Sequence, residues 1–166
     1  MNVLEETVRA IESIDLDDLE NIIEDIKVWE CEERIIYTFG NGGSQAIANH
    51  FSTDLVKKKY QSFSPMSNSS LITMLANDYG YHTTMSKIIE SLIVSRNAAV
   101  IIFSVSGWSN NVLTLKETCI KLKIPYWMIS SLEAISEACT FEVQSKEPYV
   151  VESVFSAIAH YIVSRL

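Results

Sequence analysis

The chain has 166 residues, a formal net charge of −8 at pH 7 and 48% hydrophobic residues. That length suits one domain able to bury its own core. The acidic balance argues against a general nucleic-acid binder, since phosphate contacts need clustered Lys and Arg, and no apolar run is long enough to span a membrane.

Two helices are expected first. Val3, Val8 and Ile11 mark one over about 3–13, and Leu19, Ile22, Ile23, Ile26 and Val28 mark another over about 16–30. Asp15 and Asp17 are candidate caps between them. The acidic residues crowd this region, Glu5, Glu6, Asp17, Asp18, Glu32 and Glu33 among them, and read as a solvated helical face. A buried strand follows at 34–39, then a polar glycine turn, Gly40-Asn41-Gly42-Gly43-Ser44, and a helix over 44–60. A short strand is placed near Ser69 to Thr73. The turn Asn77-Asp78-Tyr79-Gly80 is expected to open a helix reaching about Val94. The strand 99–103 leads into a second polar turn, Ser104-Val105-Ser106-Gly107-Trp108-Ser109, and a helix over about 109–122. A strand at 126–130, a short helix over Leu132 to Glu137 and a strand near Thr140 to Gln144 come next. Pro148 suits the first turn of a final helix.

Alternating β and α elements predict an α/β fold: a three-layer αβα sandwich around a five-stranded, mostly parallel sheet. Both glycine turns then fall at strand carboxyl ends, where open α/β sheets bind ligands. Each also leads into a helix N-terminus with unpaired N–H groups, a seat for an anion such as phosphate. Neither turn carries Gly-x-Gly-x-x-Gly or Gly-Lys-Ser/Thr, so no nucleotide cofactor is expected. Cys31, Cys119 and Cys139 are scattered and odd in number, which fits a reducing cytoplasm. The N-terminal residues lack the basic and apolar regions of a signal peptide, so a cytoplasmic location is expected. The final helix is apolar around most of its circumference, and its burial against another subunit is the expectation.

Gly40-Asn41-Gly42-Gly43-Ser44, Asn49-His50-Phe51-Ser52-Thr53-Asp54-Leu55, Asn77-Asp78-Tyr79-Gly80 and Ser104 to Val112 together resemble the sugar isomerase domain, and within it the phosphoheptose isomerase group. The resemblance covers nearly the whole chain. It implies a single domain over 1–166 with a flavodoxin-like sheet, its helical region 1–33 used in oligomer packing. It implies interconversion of sedoheptulose 7-phosphate and a heptose 7-phosphate. It also implies a cytoplasmic homotetramer with active sites shared between chains, and partners limited to a phosphorylated sugar, with no nucleic acid or membrane.

Residue roles follow from the same resemblance. Ser104, Val105, Ser106 and Ser109 fall on the phosphate loop, and Asn41, Gly42 and Ser44 line the phosphosugar site. Asp78 is placed at sugar hydroxyls, and Lys58, one turn beyond Asp54, at the substrate's charged end. His50, Asp54, Glu152 and His160 fall on positions that hold one zinc ion in several members. Asp54 and His160 take the acid–base roles, and Glu152 also contacts substrate. Asp stands at 54 where the family has Glu, Glu at 152 where it has Gln, and Trp108 where Asn is usual. These departures keep open a non-catalytic phosphosugar-binding or scaffold protein, such as the type that associates with a replication initiator, or an isomerase of another phosphosugar.

The residues themselves are compatible with enediol chemistry. Aldose–ketose exchange moves a proton between C1 and C2, with a base to carry it and an acid or metal to stabilise the oxyanion. His50 and Asp54, four apart, share a helix face. Glu152 and His160 lie eight apart, ~12 Å along a helix, so one chain barely brings both to a single metal.

Overall fold

The computed structural model describes residues 2–92, 97–131 and 140–166. The helix α1 (Val3–Glu12) begins at Asn2, whose side chain accepts from the Glu5 N–H, and α2 (Leu16–Cys31) begins at Asp15, which accepts from the N–H groups of Asp17 and Asp18. Asp15 is thus the cap, and Asp17 lies in the first turn, where its charge favours the helix dipole. The strand β1 (Ile35–Phe39) is followed by α3 (Gly42–Lys57) and the short β2 (Ser62–Phe63). Then come α4 (Ser69–Tyr79), α5 (Thr84–Leu92), β3 (Ala98–Ser104), α6 (Asn110–Leu122), β4 (Tyr126–Ser131), β5 (Thr140–Val143) and α7 (Pro148–Arg165). Single 3-10 turns at Pro65–Ser67 and Tyr81–Thr83 precede α4 and α5.

The sheet has five strands in the order β2-β1-β3-β4-β5, every pair parallel. The αβα expectation is met. Chain order reverses between β1 and β3, so the loops leaving these neighbours diverge and open a crevice at their carboxyl ends. β3 shows how the layers form. Ala99, Ile101 and Phe103 face α2, α3 and α7, while Ala98, Val100 and Ile102 face α5 and α6. That alternation is the two-residue period of a strand covered on both faces. Phe103 lies between Phe51 of α3 and Phe155 of α7, with ring centroids 5.7 and 5.6 Å away.

Several local expectations are corrected. The strand placed at Ser69 to Thr73 is the first turn of α4, because Asn68 caps a helix there by accepting from the Leu71 N–H. The sheet's edge strand lies earlier, at Ser62–Phe63. The Asn77-Asp78-Tyr79-Gly80 segment closes α4 instead of opening the next helix, since Gly80 takes φ +86° and breaks the helical path. Residues 93–94 of the next expected helix, the short helix over Leu132 to Glu137 and Cys139 lie outside the described residues.

The final helix is buried largely within its own chain. Val150, Val151, Val154, Phe155, Ile158, Ala159 and Ile162 pack under α1, α2, α3 and the sheet. Its apolar circumference therefore does not by itself demand a second subunit. The exposed apolar stripe belongs to α1 instead. Leu4 is 79% exposed, Val8 54% and Ile11 42%, with Ala10 the buried residue of that helix. Val28 of α2 is likewise exposed.

The acidic helices are pinned as well as solvated. Trp127 Nε1 donates to Asp25 at 2.7 Å, Ser145 Oγ to Glu6 at 2.7 Å, and Tyr161 OH to Glu20 at 3.2 Å. Cys31 is exposed, while burial pushes the Cys119 thiol up to about 12. Among the described residues no helix is long and apolar enough to cross a membrane.

Removing the ring that joins α3 to α7 should be costly. Phe103→Ala is expected to lose about 3–5 kcal/mol in chemical denaturation, the range for a buried aromatic truncated to Ala. A loss below about 1 kcal/mol would show that the helices do not depend on this ring.

Candidate active site

The first loop is shaped by three glycines with different demands. A Cβ at Gly40 would meet backbone atoms of Ser44 and Gln45 at 2.7–2.8 Å. Gly42 takes φ +53°, with open space above it. A methyl group at Gly43 would run into the Glu152 carboxylate. The loop is closed by the Gly40 N–H, which donates to Gln45 Oε1 at 2.8 Å.

Asn41 occupies the N-cap position of α3 without capping it. Its amide instead bridges two other elements. Asn41 Nδ2 donates to Asn111 Oδ1 at 3.0 Å, and Asn41 Oδ1 accepts from Asn111 Nδ2 and from Tyr81 OH, both at 2.8 Å. This amide clasp fixes the first loop to the start of α6 and to the 3-10 turn after α4. The N–H groups opening α3 keep the unpaired character of any helix start.

The second loop folds on its own hydroxyls. Ser104 Oγ accepts from the Gly107 N–H and Ser106 Oγ from the Trp108 N–H, each at 3.2 Å, with Gly107 at φ +69°. Ser109 is the N-cap residue of α6, and its hydroxyl makes no capping bond. The two loops enclose a cavity of about 180 Å³ lined by Asn41, Ser44, Ser104, Val105, Ser106, Ser109, Pro148 and Glu152. A neighbouring cavity of about 580 Å³ shares Asn41 and Ser109 and adds Tyr81, His82, Asn110 and Asn111.

The helices α3 and α7 run side by side in the same direction. At the loop end, Ser44 Oγ donates to Glu152 Oε1 at 3.1 Å. Farther along both helices, His50 Nε2 lies 2.9 Å from His160 Nε2 and 3.4 Å from Asp54 Oδ2. One ligand atom from each of these three residues lies within 4.8 Å of the others. Two imidazoles and a carboxylate at this spacing fit the ligand set of a catalytic zinc site with a fourth position open. The imidazole of His50 is exposed and the Asp54 carboxylate partly buried, so the cluster faces the surface.

The expected site residues thus divide into two levels. Asn41, Ser44, Ser104, Val105, Ser106, Ser109 and Glu152 meet at the crevice, and His50, Asp54 and His160 meet farther down the helix pair. Asp54 and His160 come together within one chain, which removes the need to pair them across subunits. Glu152 stays with Ser44 and does not join the histidines, because eight residues of helix separate it from His160 by ~12 Å. Lys58 caps the C-terminal end of α3, exposed and ~24 Å along the axis from Gly42, so it stands far from the serine loop. Asp78 is exposed in the last turn of α4, accepts from Asn77 Nδ2, and lines neither cavity.

Sequence reasoning missed Tyr81, His82, Pro148 and the bridging role of Asn111. Asn111 and Gly43 lay inside quoted motifs, and their contacts are long-range. Tyr81 follows the Asn-Asp-Tyr-Gly turn directly, but its partner is 40 residues earlier.

A parallel sheet of this order, with a serine loop and a glycine loop at its switch point, is an α/β fold shared with solved phosphoheptose isomerases. The chain is related in sequence to phosphoheptose isomerases. It is 34% identical over 116 residues to a probable phosphoheptose isomerase of Thermoplasma acidophilum, covering 66% of this chain and 63% of that protein. It is 37% identical over 98 residues to the phosphoheptose isomerase of Helicobacter pylori strain HPAG1, covering 55% of this chain and 50% of that one. The chain thus spans less than two thirds of the length of these curated relatives. The structure of a phosphoheptose isomerase from Francisella tularensis superimposes with a TM-score of 0.88 over 98% of this chain and 91% of that one, at 16% identity. No family model matches the chain.

The glycine contacts separate two substitutions. Gly40→Ala presses a methyl against backbone and is expected to cost about 1–3 kcal/mol. Gly43→Ala meets a movable side chain, so stability should change by less than about 1 kcal/mol while Glu152 swings out of the cavity. Thermal denaturation and a crystal structure of each variant check this, and equal destabilisation would refute the distinction.

Proposed function

We propose that this chain is a sugar-phosphate aldose–ketose isomerase, an intramolecular oxidoreductase that interconverts sedoheptulose 7-phosphate and a heptose 7-phosphate in the cytoplasm. We read residues 1–166 as one sugar isomerase domain. The observation that carries the reading is the His50–Asp54–His160 cluster, set on the same helix pair that borders the serine-lined cavity. Sequence relation to phosphoheptose isomerases supports it.

The phosphate sits against Ser104, Ser106 and Ser109, held by hydroxyls and by the helix N–H groups. Six residues separate Ser44 from His50, ~9 Å of helix rise. An extended seven-carbon chain ending in phosphate spans roughly 10 Å at standard bond lengths. A heptose phosphate anchored at the serine loop therefore reaches the cluster with its carbonyl end, which a shorter sugar does less well.

In the ketose-to-aldose direction, neutral His160 takes a proton from C1 and returns it to C2. The oxygen at C2 gains a proton as the enediol forms and O1 gives one up as the aldehyde appears, the Asp54 carboxyl carrying the proton from O1 to O2. Asp54 holds His50 by charge and geometry and accepts from the sugar's terminal hydroxyl. Alternatively, His50, Asp54 and His160 would hold a zinc ion, which when bound would supply Lewis-acid stabilisation of the developing oxyanion and would make His160 a ligand instead of the base.

Association into a homotetramer is part of this reading. The unpaired stripe of Leu4, Val8 and Ile11 supports association, and the number four comes from the resemblance. Light scattering at micromolar concentration should give the mass of four chains, and Val8→Glu should lower it. A wild-type monomer would remove this part.

The chemistry is tested with metal-replete protein and a series of pentulose, hexulose and heptulose phosphates in deuterated water. Deuterium should enter at C1 or C2, fastest for the heptulose. His160→Ala should slow exchange at least about a hundredfold, as expected for loss of an acid–base group. No exchange with any sugar, or full exchange by His160→Ala, would overturn the assignment.

A further inference from the structure

The cavity proposed to seat a phosphate carries a negative charge of its own. Among the eight residues lining it, Glu152 is the one ionisable side chain; the others are Asn41, Ser44, Val105, Pro148 and serines of the second loop. The carboxylate is built in rather than incidental. Ser44 is buried and donates its hydroxyl to Glu152 Oε1, and Gly43 offers no Cβ that would keep the carboxylate out. Glu152 Oε2 lies closest to Gly43, in the first turn of α3. The carboxylate thus partly occupies the anion seat that a helix N-terminus provides.

Among the described residues no cation pairs with Glu152. Lys58, the cation expected near the substrate, stands at the far end of α3. An ionised carboxylate is acceptor-only, and Ser44 supplies one donor where there is capacity for about four. A bare phosphate dianion brings charge of the same sign and few donors. A phosphate ester with a hydroxyl on the neighbouring carbon brings a donor that Glu152 can accept.

We infer that Glu152 is a specificity-determining residue that makes the cavity select hydroxylated phosphate esters over inorganic phosphate and over esters lacking that hydroxyl. This rests on the reading of the cavity as a phosphosugar site and deepens it. The cavity rejects the abundant free anion by repulsion and admits the sugar ester because its hydroxyl offsets that repulsion. At ~6 Å and an effective dielectric constant close to that of water, ~80, a carboxylate facing a phosphate dianion loses about tenfold in binding, and one hydrogen bond to a charged group restores a similar factor.

Three small probes separate the terms: inorganic phosphate, propyl phosphate and glycerol 3-phosphate. Their affinities are measured by calorimetry at pH 8. Wild-type protein should bind glycerol 3-phosphate about tenfold more tightly than either of the others. Glu152→Gln keeps the shape and removes the charge. It should tighten inorganic phosphate and propyl phosphate about tenfold and close most of the gap. Glu152→Asp, which keeps the charge, should keep the discrimination.

The inference is overturned if wild-type protein binds propyl phosphate as tightly as glycerol 3-phosphate. It is equally overturned if Glu152→Gln leaves the affinity for inorganic phosphate unchanged, or if none of the three probes binds. Isomerase activity is read by deuterium exchange and not by these affinities. A protein that discriminates the probes yet exchanges no sugar proton would keep this inference and lose the catalytic one.

Discussion

The parallel alignment of α3 and α7 is the constraint on which the rest depends. Phe103, projecting from the central strand, meets Phe51 on one helix and Phe155 on the other, and so seats both against the same face of the sheet. Once the helices share a direction, every contact between them is set in register. Ser44 meets Glu152 near their N-termini, and His50 meets His160 farther along. Aromatic packing in the core thereby decides which polar groups meet at the surface. A shift of one helical residue would carry each polar partner ~1.5 Å along the axis and rotate it ~100° about it, enough to undo both pairs.

The fold was largely legible in the chain. The strands 35–39 and 98–104 announce themselves by largely apolar, β-branched runs, and the glycine turns mark where they end. Local capping rules also worked where the cap is a sequence neighbour, as with Asp15. They failed at 69–79, where Ser, Leu, Ile and Thr resemble a strand and only the Asn68 cap declares a helix. The pattern of α1 predicted a helix, and the structure leaves its apolar stripe exposed, because amphipathicity says which face is apolar and not what covers it.

The site was legible in its parts and not in their arrangement. Spacing placed His50 and Asp54 on one face, and the resemblance brought His160 to them. Spacing also set Glu152 apart from His160, but its meeting with Ser44 depends on the register of two helices more than 90 residues apart. Lys58 illustrates the converse. Its neighbour Asp54 is one turn away, yet a basic residue one turn past a cluster has moved away from the crevice, because α3 leads away from it.

The clasp of Asn41, Asn111 and Tyr81 has a consequence for how the site responds to its surroundings. It joins three segments through neutral amide and phenol groups, with no formal charge on either side of any bond. Dissolved ions screen charge–charge attraction, and they act far more weakly on dipoles in contact. The spatial relation of the two loops is therefore insensitive to ionic strength, while the hold on an anionic ligand between them weakens as salt rises. The frame and its grip answer to different variables: salt loosens what is held without reshaping what holds it.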